Sequence, residues 1–282
     1  MPPRTGAKTG AASTPRLLYV GAAGWTVPAE VRAATVRRAT HLAVYSTHFS
    51  AVEINSSFYR SHRRTTYERW ASMVPENFRF SVKVPKTITH EAGLIGAGEE
   101  LRQFLDEVDG LGAKLAVILV QLPPTLEFDS RTARAFFGRL SIASQARVVC
   151  EPRHESWFGA RATGLLRKTA VSRAAVDPVQ PTPAAAMPEG DESLSYYRLH
   201  GSPRMYYSAY DEVFLARLCR EILQRSSTSV WCIFDNTAMA ASWKNAAALE
   251  ECLGGELAAT RRRASPRPPR KRVPKSRKRR GL

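Results

Sequence analysis

The stretch Leu115–Glu151, LAVILVQLPPTLEFDSRTARAFFGRLSIASQARVVCE, decides how the rest of the chain is read. Leu115–Leu122 is a short, continuous apolar run stopped by Pro123 and Pro124, the pattern of a strand buried on both faces. Asp129–Ser130 then supplies a helix cap, and Phe136, Phe137 and Leu140 follow at helical spacing. Arg147–Glu151 begins a second β-branched run. Strand, helix and strand in this order make a βαβ unit, whose strands run parallel.

Outward from this unit the same alternation repeats. Upstream lie the runs Leu17–Trp25, Ala51–Tyr59 and Phe78–Pro85; downstream lie Thr169–Asp177, Leu194–Gly201 and Val230–Asp235. Helical faces fill most of the gaps: Leu101, Phe104, Leu105, Val108 and Leu111 form one, and Phe214, Leu215, Leu218 and Ile222 another. A third comprises Met239, Ser242, Trp243, Ala246, Leu249 and Leu253. The exception is Asp177–Glu189, where Pro178, Pro181, Pro183 and Pro188 predict a loop or a short Ala-rich turn. Eight strands alternating with helices predict an α/β fold, a (β/α)8 TIM-type barrel over residues 17–256. A doubly wound open sheet is the alternative, because periodicity carries no information about closure.

The formal net charge is +17, and its placement matters more than its size. Residues 261–280 hold twelve Lys/Arg and no acid, and residues 1–16 hold Arg4, Lys8 and Arg16, also with no acid. The remaining 27 bases face all 25 acids, so the body is close to neutral and no histone-like basic fold is implied. Residues 1–16 and 257–282 are expected to be disordered basic extensions, too poor in apolar groups to offset the entropy of ordering. No stretch has the roughly 18–20 consecutive apolar residues of a membrane helix, and Met1–Pro15 has no signal-peptide core, so a cytoplasmic protein without membrane partners is expected. Cys150, Cys219, Cys232 and Cys252 lie far apart without a C-x-x-C pair and read as small buried thiols. There is no G-x-x-x-x-G-K-[ST], no G-x-S-x-G and no H-E-x-x-H; Gly96 and Gly98 lack a third glycine. These absences disfavour nucleotide-triphosphate hydrolysis and Rossmann cofactor binding.

Polar residues collect where the strand runs end. They are Trp25; Glu53 and Asn55; Lys83 and His90; Gln121; Glu151, Arg153 and His154; Asp177; Arg198 and His200; Asp235 and Asn236. In a barrel these ends share one rim. Side chains two apart on a strand face one way, so Glu53/Asn55, Glu151/Arg153 and Arg198/His200 each aim two polar groups at the same side. On this basis Glu53, Glu151 and His200 are the candidate catalytic residues. Trp25, Asn55, Lys83, Gln121, Arg153, Arg198 and Asn236 are the candidate substrate contacts. A mutually satisfied ion-pair network with no substrate is the competing reading. Phe58, Tyr59, Trp157 and Tyr197 are ring-stacking candidates, weighed against ordinary core packing, and His41, His48 and His62 have no ligand spacing and no assigned role.

The motifs Ala23–Trp25 (AGW), Val52–Tyr59 (VEINSSFY), Phe78–Pro85 (FRFSVKVP) with Thr89–His90, Gln121–Pro124 (QLPP), Glu151–Phe158 (EPRHESWF), Tyr197–Gly201 (YRLHG) and Phe234–Thr237 (FDNT) with Asn245–Ala246 follow one another in order. Together they resemble the YecE-like family, also called domain of unknown function 72. The resemblance spans Leu18 to about Leu253 and leaves both basic ends outside. It implies a TIM-type barrel and no particular reaction. That family usually has Ser where Ala23 stands and Asn where Asp235 stands, so Asp235 adds a charge at the mouth. Three readings follow. The mouth is an enzyme site for a phosphorylated or other anionic substrate, with Arg153, Arg198 and Lys83 binding it and Glu53 and Glu151 acting as acid and base, or as divalent-metal ligands with His200 and Asp235. Alternatively, residues 261–280 attract nucleic acid nonspecifically. In the third reading the barrel binds a small anion without catalysis.

Overall fold

Each apolar run forms a strand in the computed structural model, which describes residues 17–33 and 39–264, with side chains up to residue 256. The first five runs give β1 (Leu17–Ala22), β2 (Ala51–Ile54), β3 (Arg79–Lys83), β4 (Leu115–Gln121) and β5 (Arg147–Glu151). The sixth is interrupted at Ala174 and gives β6 (Val171–Arg173) and β7 (Ala175–Asp177). A two-residue strand, β8 (Glu189–Gly190), precedes β9 (Leu194–Leu199) and β10 (Ser229–Phe234). The helices are α1 (Ala29–Ala33), α2 (His41–Tyr45), α3 (Ser56–Tyr59), α4 (Arg64–Ser72), α5 (Gly98–Val108), α6 (Ser130–Ala143), α7 (Ala160–Lys168), α8 (Glu212–Gln224) and α9 (Ala241–Ala264).

The helical faces pack much as their spacing predicts. α5 buries Leu101, Phe104 and Val108, and α6 buries Ala133, Phe136, Phe137 and Leu140 behind an Asp129 cap that accepts from Thr132 N at 2.7 Å. α8 buries Leu215, Leu218 and Ile222. α9 buries Trp243, Ala246, Leu249 and Leu253, but Met239 lies before its first turn and is 72% exposed, so it does not belong to that face. The Pro-rich connection forms a single 3-10 turn, Pro183–Ala186, and then β8, which is too short to carry a periodic signal. All four cysteines are free thiols, three of them buried. α9 runs to Ala264, past the boundary drawn at 256, and the expectation of disordered ends at 1–16 and from 265 onward lies outside the described residues. No helix among the described residues is long and apolar enough to cross a membrane.

The result is a mixed α/β, TIM-barrel-like fold whose strands pair as two sheets, in the orders β1-β10-β9-β7 and β2-β3-β4-β5-β6-β8. Every pairing is parallel except that of β8 with β6. Parallel neighbours follow from the helical crossovers. The sheets approach each other at two places. At Ala174 the sixth run changes partner: β6 pairs with β5 and β7 with β9, and Ala174 N donates to Cys150 O at 2.9 Å.

The second place is between β1 and β2. There the Tyr45 hydroxyl accepts from Ala22 N at 2.7 Å and donates to Ala51 O at 3.0 Å, standing where a direct backbone bond would be. Just beyond it Ala23 and Glu53 form a parallel bridge, with Gly24 N donating to Glu53 O at 2.9 Å. Burial pushes the Tyr45 phenol well above its ordinary pKa, so it keeps the proton it donates. Tyr45→Phe is expected to cost about 1–3 kcal/mol, because it leaves a buried N–H and C=O without their partner. Urea unfolding measures this, and a loss below ~0.5 kcal/mol would show that the hydroxyl does not bind the two strands.

Strand alternation sorts the apolar side chains into two cores. One face packs Ala51, Val117, Leu119, Val149, Trp231 and Ile233, drawn from both sheets, into an inner cluster. The opposite face, with residues such as Val52, Val82, Ile118 and Cys232, packs beneath the helices. The polar residues of interest continue the inner face past its apolar layer.

Candidate functional site

On β2, β3, β4, β5, β9 and β10 the inner face ends in a polar side chain. Lys83 closes β3, Gln121 β4 and Glu151 β5; Glu53 and Arg198 are the penultimate residues of β2 and β9, and Asp235 follows β10. Glu53, Glu151, Arg198 and His200 are completely buried. Arg198 is the hub. Its Nε and Nη2 donate to the two Glu53 oxygens at 2.9 and 2.6 Å, Nη1 donates to Glu151 Oε2 at 2.8 Å, and Nη2 also reaches Asp235 Oδ2 at 3.1 Å. Glu151 Oε1 accepts from Gln121 Nε2 at 2.7 Å and from Arg153 Nη2. Arg153 Nη2 also donates to His200 Nε2 at 2.8 Å, which leaves His200 Nδ1 to donate its proton to Asp235 Oδ2 at 3.0 Å. Asn55 Nδ2 reaches Asp235 Oδ1 at 3.4 Å.

These contacts set the charge states. Burial alone would raise the Glu151 pKa, but the charges of Arg153 and Arg198 outweigh it and hold the carboxyl well below its usual range. Asp235 is likewise lowered, burial being outweighed by Arg198, His200 and Lys83. Arg198 is held well above its ordinary value by Glu151, Glu53 and Asp235 in spite of burial. An ionised, fully bonded Glu151 has no proton to donate, so the geometry does not fit its expected role as a general acid. Arg198 has its donors committed to three carboxylates and holds the site together, which is a different task from the substrate contact expected of it. Among the described residues no group of three or more His, Cys, Asp or Glu side chains could hold a metal ion. The reason is visible at Arg198, whose guanidinium stands among Glu53, Glu151 and Asp235 where a cation would have to sit.

Lys83 stands apart from this network. It is 7% exposed, its Nζ lies 3.9 Å from the centre of the Phe58 ring, and among the described residues no carboxylate or hydrogen-bond acceptor pairs with that nitrogen. Its backbone is pinned by Ser57, which donates to Lys83 O at 2.7 Å from the first turn of α3. Burial, and next the Arg198 charge, push the ammonium down to about 8 against the pull of Glu151, Glu53 and Asp235. A wide π-type turn, Thr87–Glu91, brings His90 back against Phe58, ring centres 5.0 Å apart. Burial and then Lys83 and Lys86 lower the His90 pKa, so the imidazole stands within reach of the Lys83 charge.

Two expected contacts are not in the cluster. Trp25 packs edge-on against Trp70, 5.0 Å away, and Asn236 donates to Ser208 O and Asn245 Oδ1, tying down the loops outside the site. Asp177 is bonded to the Tyr210 hydroxyl at 2.9 Å, and His154 caps its own turn by accepting from Ser156 N. Of the ring candidates only Phe58 sits at the site. Tyr59 is 74% exposed, while Trp157 is buried and donates to Leu126 O.

A model of the family described as "Protein of unknown function DUF72" matches residues 19–271. The chain belongs to this family. Curated relatives include the UPF0759 protein YecE of Escherichia coli (strain K12), 30% identical over 143 residues, or 50% of each chain. The UPF0759 protein YunF of Bacillus subtilis (strain 168) is 29% identical over 150 residues, 50% of this chain and 52% of that one. The matched segment thus spans about half the length of the curated relatives. Among solved structures, a DUF72 family protein from Enterococcus faecalis V583 superposes with a TM-score of 0.70 at 23% identity, covering 84% of this chain and 96% of that chain. Another, from Thermotoga maritima MSB8, gives 0.68 at 21% identity, covering 85% and 100%. At such identity these two establish the fold alone.

Two further residues of the DUF72 chain, Tyr196 and Ser81, belong to the site although neither is charged. The buried Tyr196 hydroxyl donates to Glu53 Oε2 at 2.9 Å and lies 2.9 Å from Ser81 Oγ, forming the floor of the polar cluster. The signal was available: Tyr196 is two residues before Arg198 on the same strand, as Ser81 is before Lys83. Tyr197, singled out instead, has the opposite parity and faces the helices, where its hydroxyl donates to Glu221 at 2.9 Å and accepts from Arg225 at 2.8 Å.

Proposed function

We propose that the two sheets form the wall of one eight-stranded (β/α)8 barrel and that its mouth takes a small anionic substrate against a basic edge made by Lys83, His90 and Arg153. The Tyr45 bridge, the Ala174 crossover and an inner core drawn from both sheets support closure. One observation carries the binding reading: Lys83 is the cation of the site without an anionic partner, while Arg198 and Arg153 are paired with carboxylates. A largely buried ammonium held only by a ring face costs free energy that an incoming anion recovers. Glu53, Glu151 and Asp235 hold the frame through Arg198, and Asp235 orients His200, so the group left for chemistry is Lys83.

Calorimetric titration with inorganic phosphate and small carboxylates tests this. Lys83→Met is expected to weaken binding about tenfold or more, the loss of one charge-assisted contact. Equal affinity in variant and wild type, or no binding by any member of the panel, overturns the reading. Turnover of a bound member would make the site an enzyme; binding without turnover leaves an anion-binding module. Attraction of nucleic acid by residues 261–280 is a separate proposal, supported by twelve bases in twenty residues and independent of the mouth.

A further inference from the structure

We propose that Lys83 is a carbonyl-reactive amine, so that the anionic substrate of this site is an aldehyde or ketone carried on a carboxylate or phosphate. The inference rests on the anion-binding reading above and adds the reacting group. Its first support is placement. Lys83 is the last residue of β3, on the inner face beside Ser81, with its backbone held by Ser57 and its Nζ over the Phe58 ring at 3.9 Å. An amine that serves only to balance charge in a buried cluster is bonded to a carboxylate, as Arg198 is to three. Lys83 has three carboxylates in its neighbourhood and is bonded to none of them. The second support is burial beside the positive charge of Arg198, which favours the uncharged, nucleophilic form of the amine against the cation–π attraction of the Phe58 face. His90, packed against Phe58, and Arg153, bonded to Glu151 and His200 in the same cluster, are the further donors for the anionic end of the substrate.

The chemistry balances without any further reactant. The Lys83 nitrogen lone pair attacks the carbonyl carbon, a C–N bond forms, the C=O π pair moves to oxygen, and a proton passes from nitrogen to that oxygen to give a carbinolamine. Loss of the hydroxyl with the remaining nitrogen proton, as water, leaves an imine.

Glyoxylate, a small anionic aldehyde, is the probe, and borohydride is the reductant that converts any imine to a stable carboxymethyl-lysine. Wild-type protein is incubated with glyoxylate, reduced and mapped by peptide mass spectrometry, while glyoxylate affinity is measured separately by calorimetry. The expected result is labelling of Lys83 about tenfold or more faster than the nearby Lys86, which is paired with Glu91 at 2.9 Å, and slowed by excess inorganic phosphate. In Lys83→Arg that label disappears. Binding of glyoxylate without preferential labelling of Lys83 overturns the amine assignment and leaves the anion-binding reading standing. Absence of both binding and labelling overturns the two together. Should Lys83→Arg fail to fold, the wild-type peptide map decides alone.

Discussion

Replacing Arg198 by methionine is expected to cost about 3–5 kcal/mol of folding stability, the loss measured when one partner of a buried ion pair is removed. The arginine is completely buried and bonds Glu53, Glu151 and Asp235. Methionine keeps much of its volume and leaves those carboxylates without their common counter-charge. The pH dependence gives the mechanism a sign. In the wild type, Glu151 and Asp235 are lowered in the folded state, so their stabilisation is fully present above their unfolded values of 4.5 and 3.8. It is lost as the pH falls through the depressed folded values. In Arg198→Met the same carboxylates meet burial with less compensation, their folded pKa values rise, and stability should increase as pH falls from 7 to 5. Glu250, pushed up to about 7 by burial, titrates in the same window in both proteins, so the quantity to read is the variant minus the wild type. A loss under ~1 kcal/mol, or a difference flat between pH 7 and 5, would mean that Arg198 is not the hub of the site.

Gly21→Ala is the second large effect, at about 3 kcal/mol or more, or no folded protein at all. A Cβ at Gly21 would stand 2.0 Å from Ala51 O and 2.8 Å from both Ala51 C and the Tyr45 hydroxyl oxygen. Two of these are backbone atoms of β2 and the third is the phenol that joins β1 to β2, so none can swing aside as a flexible side chain would. The methyl group forces the two strands apart and breaks the Ala22–Tyr45–Ala51 relay. Gly138→Ala is the matched control: it lies inside α6 with nothing within 4 Å of the added atom, and should stabilise by about 0.5–1 kcal/mol through helix propensity. Thermal unfolding reads both, with about 2–4 °C per kcal/mol expected for a domain of this size. A Gly21→Ala protein melting within 2 °C of the wild type (the effect of under about 1 kcal/mol) would show that the seam is loose.

Much of the candidate site was legible because strand side chains alternate. Glu53, Glu151 and Arg198 meet as expected, each on the inner parity of its strand, and the i, i+2 pairs bring Asn55, Arg153 and His200 beside them. Reading by residue type instead of parity overlooked Tyr196 and favoured Tyr197. Trp25 and Asn236 stand where strands have already given way to loops. Parity no longer applies there, and contacts with Trp70 and Asn245 decide their direction.

By itself the sequence determined the order of the eight apolar runs and of the longer helices, the connection without an α-helix after the sixth run, and the level at which polar groups replace the inner core. All of these depend on neighbours a few residues apart, through turn chemistry and the periods of strand and helix. Only the tertiary structure decided that Arg198 is consumed by three carboxylates, that Glu151 is ionised, and that Lys83 alone among the site's cations lacks an anionic partner. Those outcomes turn on which of several nearby charges pair across strands up to 145 positions apart. In a buried site, bonding one carboxylate to one guanidinium leaves the next amine without a partner, and only tertiary geometry chooses between them.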